Sequence, residues 1–419
     1  RFEMINIYTS ANKTTSLSMA RAVFVIFLLW STFYAPLKWI LNLAGVGFLF
    51  YIPKFALLIS IIVSVFLTRK INKQTVFFII AVFISSIYGL YVFGNLSQVL
   101  FCIYILVPFA FGLYYGEKLI NGGMYKTLII IWAMISIGVL LNVVIQYPWA
   151  GAVMDIDGGA IYIAKEWTTY DVTRYAGFSV ASYSVATQLL AIGVYLICVA
   201  KTKKIKVIFF VVTFILLVLT TTKGAIFSLA AVGLLLFFYT NKKIMLHKIL
   251  IIVLIIDIIL PILSLSYSDS LVYSGNRGGS WLLTTETIYE RMTWMWPESL
   301  SFILHKGNVI MGAGMGGIGT ALSLFYQQFD ENALRFASAD NIFIYTFGLF
   351  GVLGVIALFV LCKKASKINW QDDLSIYVYM STLSMLLFGL VGAPFEREFW
   401  LVFLGITIQI AFKNTNQAK

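Results

Sequence analysis

Six cations stand out because they fall in or beside polar stretches between long apolar runs: Arg174, Lys223, Arg277, Arg291, Arg335 and Arg397. A guanidinium fork pairs bidentately with phosphate or carboxylate oxygens, and an ammonium supplies a compact charge. Several such donors together suit a pyrophosphate, which is charged on both phosphates. The alternative is that they pair with Asp171, Glu290, Glu396 and Glu398, and the sequence leaves both readings open. Among the carboxylates, Asp171 stands three residues before Arg174, Glu290 adjoins Arg291, and Asp340 precedes an apolar run. A carboxylate beside cations can act as general base on a hydroxyl. Asp340 suits equally the N-cap of the helix that follows it.

Other patterns carry less chemistry. Gly312-Ala-Gly314-Met-Gly316-Gly317 matches a dinucleotide-binding spacing, but no βαβ pattern surrounds it. It reads as a close-packed loop, with an anion nest as the alternative. Asp155-Ile156-Asp157 resembles a metal-holding acidic pair, a pattern common by chance. His247 and His305 are far apart in sequence, so no His/Cys metal cluster is expected. Cys102, Cys198 and Cys362 lie in apolar surroundings and read as small buried hydrophobes.

The elements that position these residues are set by composition. Of 419 residues, 60% are hydrophobic and 11% charged, and the mean hydropathy is +0.92. A soluble domain carries about a quarter charged residues, so the surplus apolar surface belongs in lipid. A membrane helix needs about 20 mainly apolar residues. Runs at 18–37, 50–68, 75–93, 96–115, 126–146, 181–200, 206–221, 224–240, 248–266, 341–362, 374–393 and 398–413 meet that test approximately. The expected fold is an all-α polytopic membrane protein with about 12 transmembrane helices in a single integral domain. No cleavable leader is expected before the first run.

The net charge of +12 comes from short clusters between spans, not from one stripe. Arg69–Lys73, Lys201–Lys206, Lys242–Lys248 and Lys363–Lys367 fit the positive-inside bias with both termini cytoplasmic. Nucleic-acid binding is not expected. Two long outer loops follow, roughly 147–180 and 266–340, and loops of such length are usually functional. The second is expected to hold an amphipathic helix near 287–296, opened by the capping box Thr287-x-x-Glu290. Pro297-Glu298 then fits the first turn of another helix.

Short motifs in these loops resemble a known family. Glu290-Arg291-x-x-Trp294, Gly312-x-Gly314-x-Gly316 and Asp340-Asn341-x-Phe343-Ile344-x-x-x-Gly348-x-x-Gly351 resemble the C-terminal signature of the O-antigen polymerase and ligase superfamily. Arg174-Tyr175-Ala176-Gly177-Phe178 and Thr222-Lys223-Gly224-Ala225 are similar to earlier pieces of the same family. The resemblance implies a fold like the C-type glycosyltransferases and a bacterial inner-membrane location with the site on the periplasmic or outer face. It also implies a glycosyltransferase that moves a growing glycan from undecaprenyl pyrophosphate onto a lipid-linked repeat unit, in O-antigen or capsule synthesis. Ligases place a histidine where this chain has Asp340, which favours a polymerase; Lys223 replaces an arginine common in the family.

On that reading Arg174, Lys223 and Arg291 neutralise the pyrophosphate leaving group, and Arg277 and Arg335 steer the carriers or hold the glycan. Asp340 or Glu290 positions or deprotonates the acceptor hydroxyl. No cofactor or metal is expected. The partners are the lipid-linked donor and acceptor, the bilayer, and a separate chain-length regulator of the kind usual in such pathways. A lipid-linked oligosaccharide flippase is the main competitor. It would place charges or broken helices inside several spans, whereas Asp257 is the main charged residue within one here. An acyltransferase would need a better-placed histidine than His305.

Overall fold

The computed structural model describes residues 2–121, 123–156, 159–165, 167–169, 172–238, 243–268, 285–326, 337, 339–367 and 372–417. Runs of Leu, Ile, Val and Phe in lipid must satisfy their backbone polar groups internally, so they form helices. In order these are α1 (Phe2–Thr32), α2 (Tyr34–Leu43), α3 (Ile52–Thr68), α4 (Lys73–Phe93), α5 (Leu96–Tyr115), α6 (Glu117–Ile120) and α7 (Met124–Val144). Then come α8 (Ser182–Val199), α9 (Lys203–Thr220), α10 (Lys223–Phe238), α11 (Lys243–Tyr267), α12 (Glu286–Glu290) and α13 (Trp296–Lys306). The series closes with α14 (Gly319–Tyr326), α15 (Ile342–Ala365), α16 (Asp373–Gly389) and α17 (Glu398–Gln417). Between α7 and α8 lie two small antiparallel hairpins, β1 (Val153–Ile156) with β2 (Gly159–Tyr162) and β3 (Thr168–Thr169) with β4 (Val172–Thr173).

The protein is a multi-pass helical membrane protein, but the span count corrects the sequence reading. Among the described residues seven helices are long and apolar enough to cross a membrane, or eight if the bent pair α1–α2 is one span. The expected count of about twelve fails at particular helices. α9 has 18 residues, but Lys203, Lys204 and Lys206 crowd its first turn. α10 and α16 are short apolar helices. α17 ends in the polar run Lys413-Asn414-Thr415-Asn416-Gln417. The C-type glycosyltransferase architecture is corrected with the count, since no signature of it is identifiable.

The chain divides into two compact units: residues 1–76, 107–222 and 398–410, and residues 77–106, 223–397 and 411–419. In the first, α8 is the innermost helix, with Leu189, Leu190, Ile192, Leu196 and Ile197 wholly buried. α1 and α2 meet at 81°, near Pro36, whose missing N–H removes a helical bond. The Ala35 N–H at this bend donates instead to Phe178 O at 2.9 Å. Lys54 and Glu398 form an ion pair at 2.7 Å.

In the second unit α15 is broken. Gly351 has φ 59° and ψ −148°, a conformation essentially confined to glycine. The chain doubles back there: a Cβ on Gly354 would lie 2.7 Å from Thr346 Cγ2, although residues eight apart in a straight helix are about 12 Å apart along its axis. The exposed carbonyls at the break are taken up by the glycine-rich loop. Ala313 and Gly314 donate to Gly348 O at 2.8 and 3.1 Å, and Val352 donates to Val309 O at 3.0 Å. Ser85 Oγ donates to Leu349 O, Met315 N to Ser85 O at 3.1 Å, and Gln98 Nε2 to Gly316 O at 2.8 Å. The loop is therefore close-packed, and the amides of Ala313, Gly314 and Met315 are committed to carbonyls.

Candidate functional site

Three segments of the second unit converge on Arg291. A helix lies where the amphipathic one was expected but begins at Glu286, with Thr285 before it and no side-chain cap. The capping box at Thr287 is thus corrected. From Arg291 to Met295 the helix widens into a π-turn, a feature frequent at functional sites, and Pro297 opens α13 as expected. Arg291 Nη1 donates to Thr287 O at 2.7 Å. Its Nη2 donates to Asp340 Oδ2 at 2.8 Å and to Val391 O at 2.9 Å. Its Nε is buried with no hydrogen-bond partner among the described residues. One guanidinium therefore ties the π-turn to the segment before α15 and to the end of α16, with a donor left over.

Asp340 is held as well as paired. It has φ 42°, a left-handed conformation uncommon for a residue with a side chain. The helix cap assigned to it belongs to Asn341, whose Oδ1 accepts from Ile344 N at 3.1 Å. Asp340 is thus relieved of the capping role and turned toward Arg291. Their side chains retain 29% and 15% of their exposure, so the carboxylate is reachable from solvent while its partner is mostly enclosed. A reachable carboxylate oriented by a fixed cation can take a proton from a hydroxyl.

The first unit holds a second cationic site, a pocket lined by Asn142, Tyr147, Trp149, Lys165, Arg174 and Gly177 among others. The β3–β4 pairing continues into a bond from Arg174 N to Trp167 O at 2.9 Å. That places the Arg174 guanidinium 5.2 Å from the centre of the Trp167 ring. Lys165 Nζ lies over the same ring at 4.3 Å, so both cations are attracted to one π-system. Burial lowers the Lys165 ammonium from its ordinary value and pushes the Tyr147 hydroxyl up to about 12. Asn142 Oδ1 accepts from Ala176 N and Gly177 N at 3.1 and 3.0 Å. Phe178 stacks on Phe33 at 5.0 Å. The Arg174–Phe178 motif thus anchors its loop through its last residues and presents a cation through its first.

The remaining sequence candidates scatter. Gly224, beside Lys223 at the start of α10, packs against Val391, the residue whose carbonyl Arg291 engages, so the Lys223 segment belongs to the Arg291 surroundings. Glu290 is exposed and no described contact joins it to Asp340. Glu396 accepts from Thr320 N at the start of α14, and Glu398 takes Lys54. Arg277, Arg335, Asp157 and Asp171 lie outside the described residues, as does the side chain of Asp155. No cluster of His, Cys, Asp or Glu among the described residues could hold a metal.

The sequence reading missed Lys165, the capping role of Asn341 and the Val391 carbonyl. Lys165-Glu166-Trp167 preceding Arg174 in one loop offered a signal for the first, a second cation beside an aromatic. The carbonyl had none, because a backbone acceptor has no sequence signature.

No protein-family model matches the chain. Among the curated proteins none matches it in sequence. With the span count this overturns the resemblance to the O-antigen polymerase and ligase superfamily. The motifs that carried it are short, and their residues have local duties here: Gly312–Gly316 seal the α15 break, and Asn341 caps α15.

Proposed function

We propose that the protein is an inner-membrane enzyme that transfers a glycan from undecaprenyl pyrophosphate to a hydroxyl of a second lipid-linked saccharide. The observation that carries the reading is the Arg291–Asp340 pair, a solvent-reachable carboxylate oriented by a guanidinium whose Nε has no described acceptor. In this reaction the acceptor oxygen attacks the anomeric carbon and the bond to pyrophosphate breaks. The electron pair leaves with the pyrophosphate, and the hydroxyl proton passes to Asp340. The spare Nε–H of Arg291 suits an anionic oxygen, since donors fixed beforehand stabilise developing charge without reorganisation. Lys165 and Arg174 provide a separate place for an anionic headgroup.

A flippase is the second reading, favoured by Asp257 inside α11 and by the break in α15. Broken helices of transporters coordinate ions with their exposed carbonyls. At this break Gly348 O and Leu349 O already accept from Ala313, Gly314 and Ser85, which favours the transferase.

The deciding measurement uses the purified protein in detergent with an undecaprenyl-pyrophosphate-linked repeat unit and EDTA. A ladder of longer products on a gel supports transfer. A repeat unit that stays single yet crosses the bilayer in proteoliposomes overturns transfer in favour of the flippase. In the same assay Asp340→Asn is expected to lower turnover by about 100-fold while leaving carrier binding near normal. Unchanged turnover would leave Asp340 a structural partner of Arg291 alone. Arg174→Ala is expected to weaken carrier binding, measured by quenching of tryptophan emission, with normal protein levels in the membrane. Binding equal to wild type would remove the first-unit pocket from the reaction.

A further inference from the structure

Among the described residues, Asp257 is the only Asp or Glu within the helices long enough to cross a membrane. It is 0% exposed, and neither of its carboxylate oxygens has a hydrogen-bond partner among the described residues. An ionised carboxylate with no partner is expensive in such surroundings, and ionisable groups inside membranes mark functional sites by default. Its backbone is equally unusual. Pro261 stands four residues on and has no N–H, so the helix leaves the Asp257 carbonyl without its regular donor. Asn341 Nδ2 supplies the substitute at 3.3 Å and also reaches Leu390 O at 3.4 Å. Asn341 adjoins Asp340, so one side chain connects the turn carrying Asp257 and Pro261 with the residue of positive φ that pairs with Arg291.

We propose that Asp257 is a proton-binding site within the membrane, and that Asn341 transmits its occupancy to the Arg291–Asp340 pair. The site needs no other reactant: a proton from water joins a carboxylate oxygen and is later returned. With the proton present, the buried position holds a neutral group. Without it, the uncompensated charge draws nearby dipoles toward itself, and the Asn341 amide is the polar group placed to respond.

The elements packed on α11 are α15, α13, the π-turn and α16. On α15 the Cys362 thiol is in electrostatic reach of Asp257, and Lys363 and Lys364 follow it. Arg291 on the π-turn is committed to Asp340. α13 carries Glu298, His305 and Lys306, and α16 carries Asp373, Tyr377 and Tyr379. Among the described residues none of them forms an ion pair or hydrogen bond with the Asp257 carboxylate. The inference stands apart from the glycan-transfer reading and does not fall with it.

Dicyclohexylcarbodiimide tests it on the full chain in detergent. A protonated carboxyl in an apolar setting adds across the reagent to give an N-acylurea that retains every atom of both. Mass spectrometry is expected to place the label on Asp257, with labelling falling as pH rises and indifferent to sodium. Asp257→Glu should keep the label and Asp257→Asn should lose it. Absence of label at Asp257 at every pH overturns the site, and protection by sodium at fixed pH reassigns it to a sodium ion.

The coupling is read from tryptophan emission, since Trp294 lies in the Arg291 turn and Trp296 follows it. The wild type should show a pH-dependent change that is missing in both Asp257→Asn and Asn341→Ala, with Asn341→Ala still labelled. The same change persisting in Asp257→Asn overturns the coupling.

Discussion

Arg291→Ala is expected to lower product formation by about 100-fold or more while the protein still inserts in the membrane. The substitution removes the bonds to Thr287 O, Asp340 and Val391 O together. It also leaves a half-enclosed carboxylate without its cation. Arg291→Lys should recover only part of the activity, because one ammonium cannot span three acceptors in different directions. A structural role is separable from a chemical one. Replacing both partners of an enclosed pair by apolar residues is often neutral for stability, whereas breaking it costs about 3–5 kcal/mol. Arg291→Leu with Asp340→Asn, which removes both charges and keeps a residue type that tolerates the left-handed turn at φ 42°, should therefore melt above Arg291→Ala and remain inactive. A double variant that is stable and active would show that the pair serves the fold alone.

Gly351→Ala is expected to be strongly destabilising to the second unit. Its φ and ψ lie where only glycine sits without strain, at a cost of about 1–3 kcal/mol for other residues. The added carbon would also meet the Ile310 carbonyl, a backbone atom that cannot move without disturbing the bond from Val352 to Val309. Thermal denaturation in detergent should show a clearly lower midpoint, or the variant should fail to accumulate. Gly123→Ala is the control: its φ is also positive, at 94°, but nothing lies within 4 Å of the added carbon. Equal losses at both positions would mean that conformation, not packing, sets the effect.

These outcomes turn on features the sequence displayed unevenly. Apolar runs located most helices, because lipid forces any such run to close its own hydrogen bonds. They could not locate the break in α15, since Gly351 sits in a run as apolar as any other and its conformation follows from the loop packed against it. Length misled in the opposite direction at α9, α10, α16 and α17, where apolar character is real but short or interrupted by lysine, asparagine and glutamine. Arg291 and Asp340 were visible as chemical types. Their partnership was not, because a separation of 49 residues gives no periodicity to read. Asn341 was hidden by its neighbour: two adjacent residues could each cap a helix, and only the backbone turn at Asp340 decides between them.

The sealed break has a consequence for how the chain is made. Ser85 meets Leu349 across 264 residues of sequence, and Gln98 meets Gly316 across 218. α4 and the start of α5 are synthesised long before the segments that complete them. Until then Ser85 Oγ and the Gln98 amide wait in or beside the bilayer without these acceptors, and the close approach of Gly89 to Met315 stays an open notch. The second unit therefore cannot mature progressively from its N-terminal end and folds as one unit after its late segments are made. A nascent chain stopped after α11 should remain open to proteases and membrane chaperones. Release of the segment through Gly351 is the event that closes it.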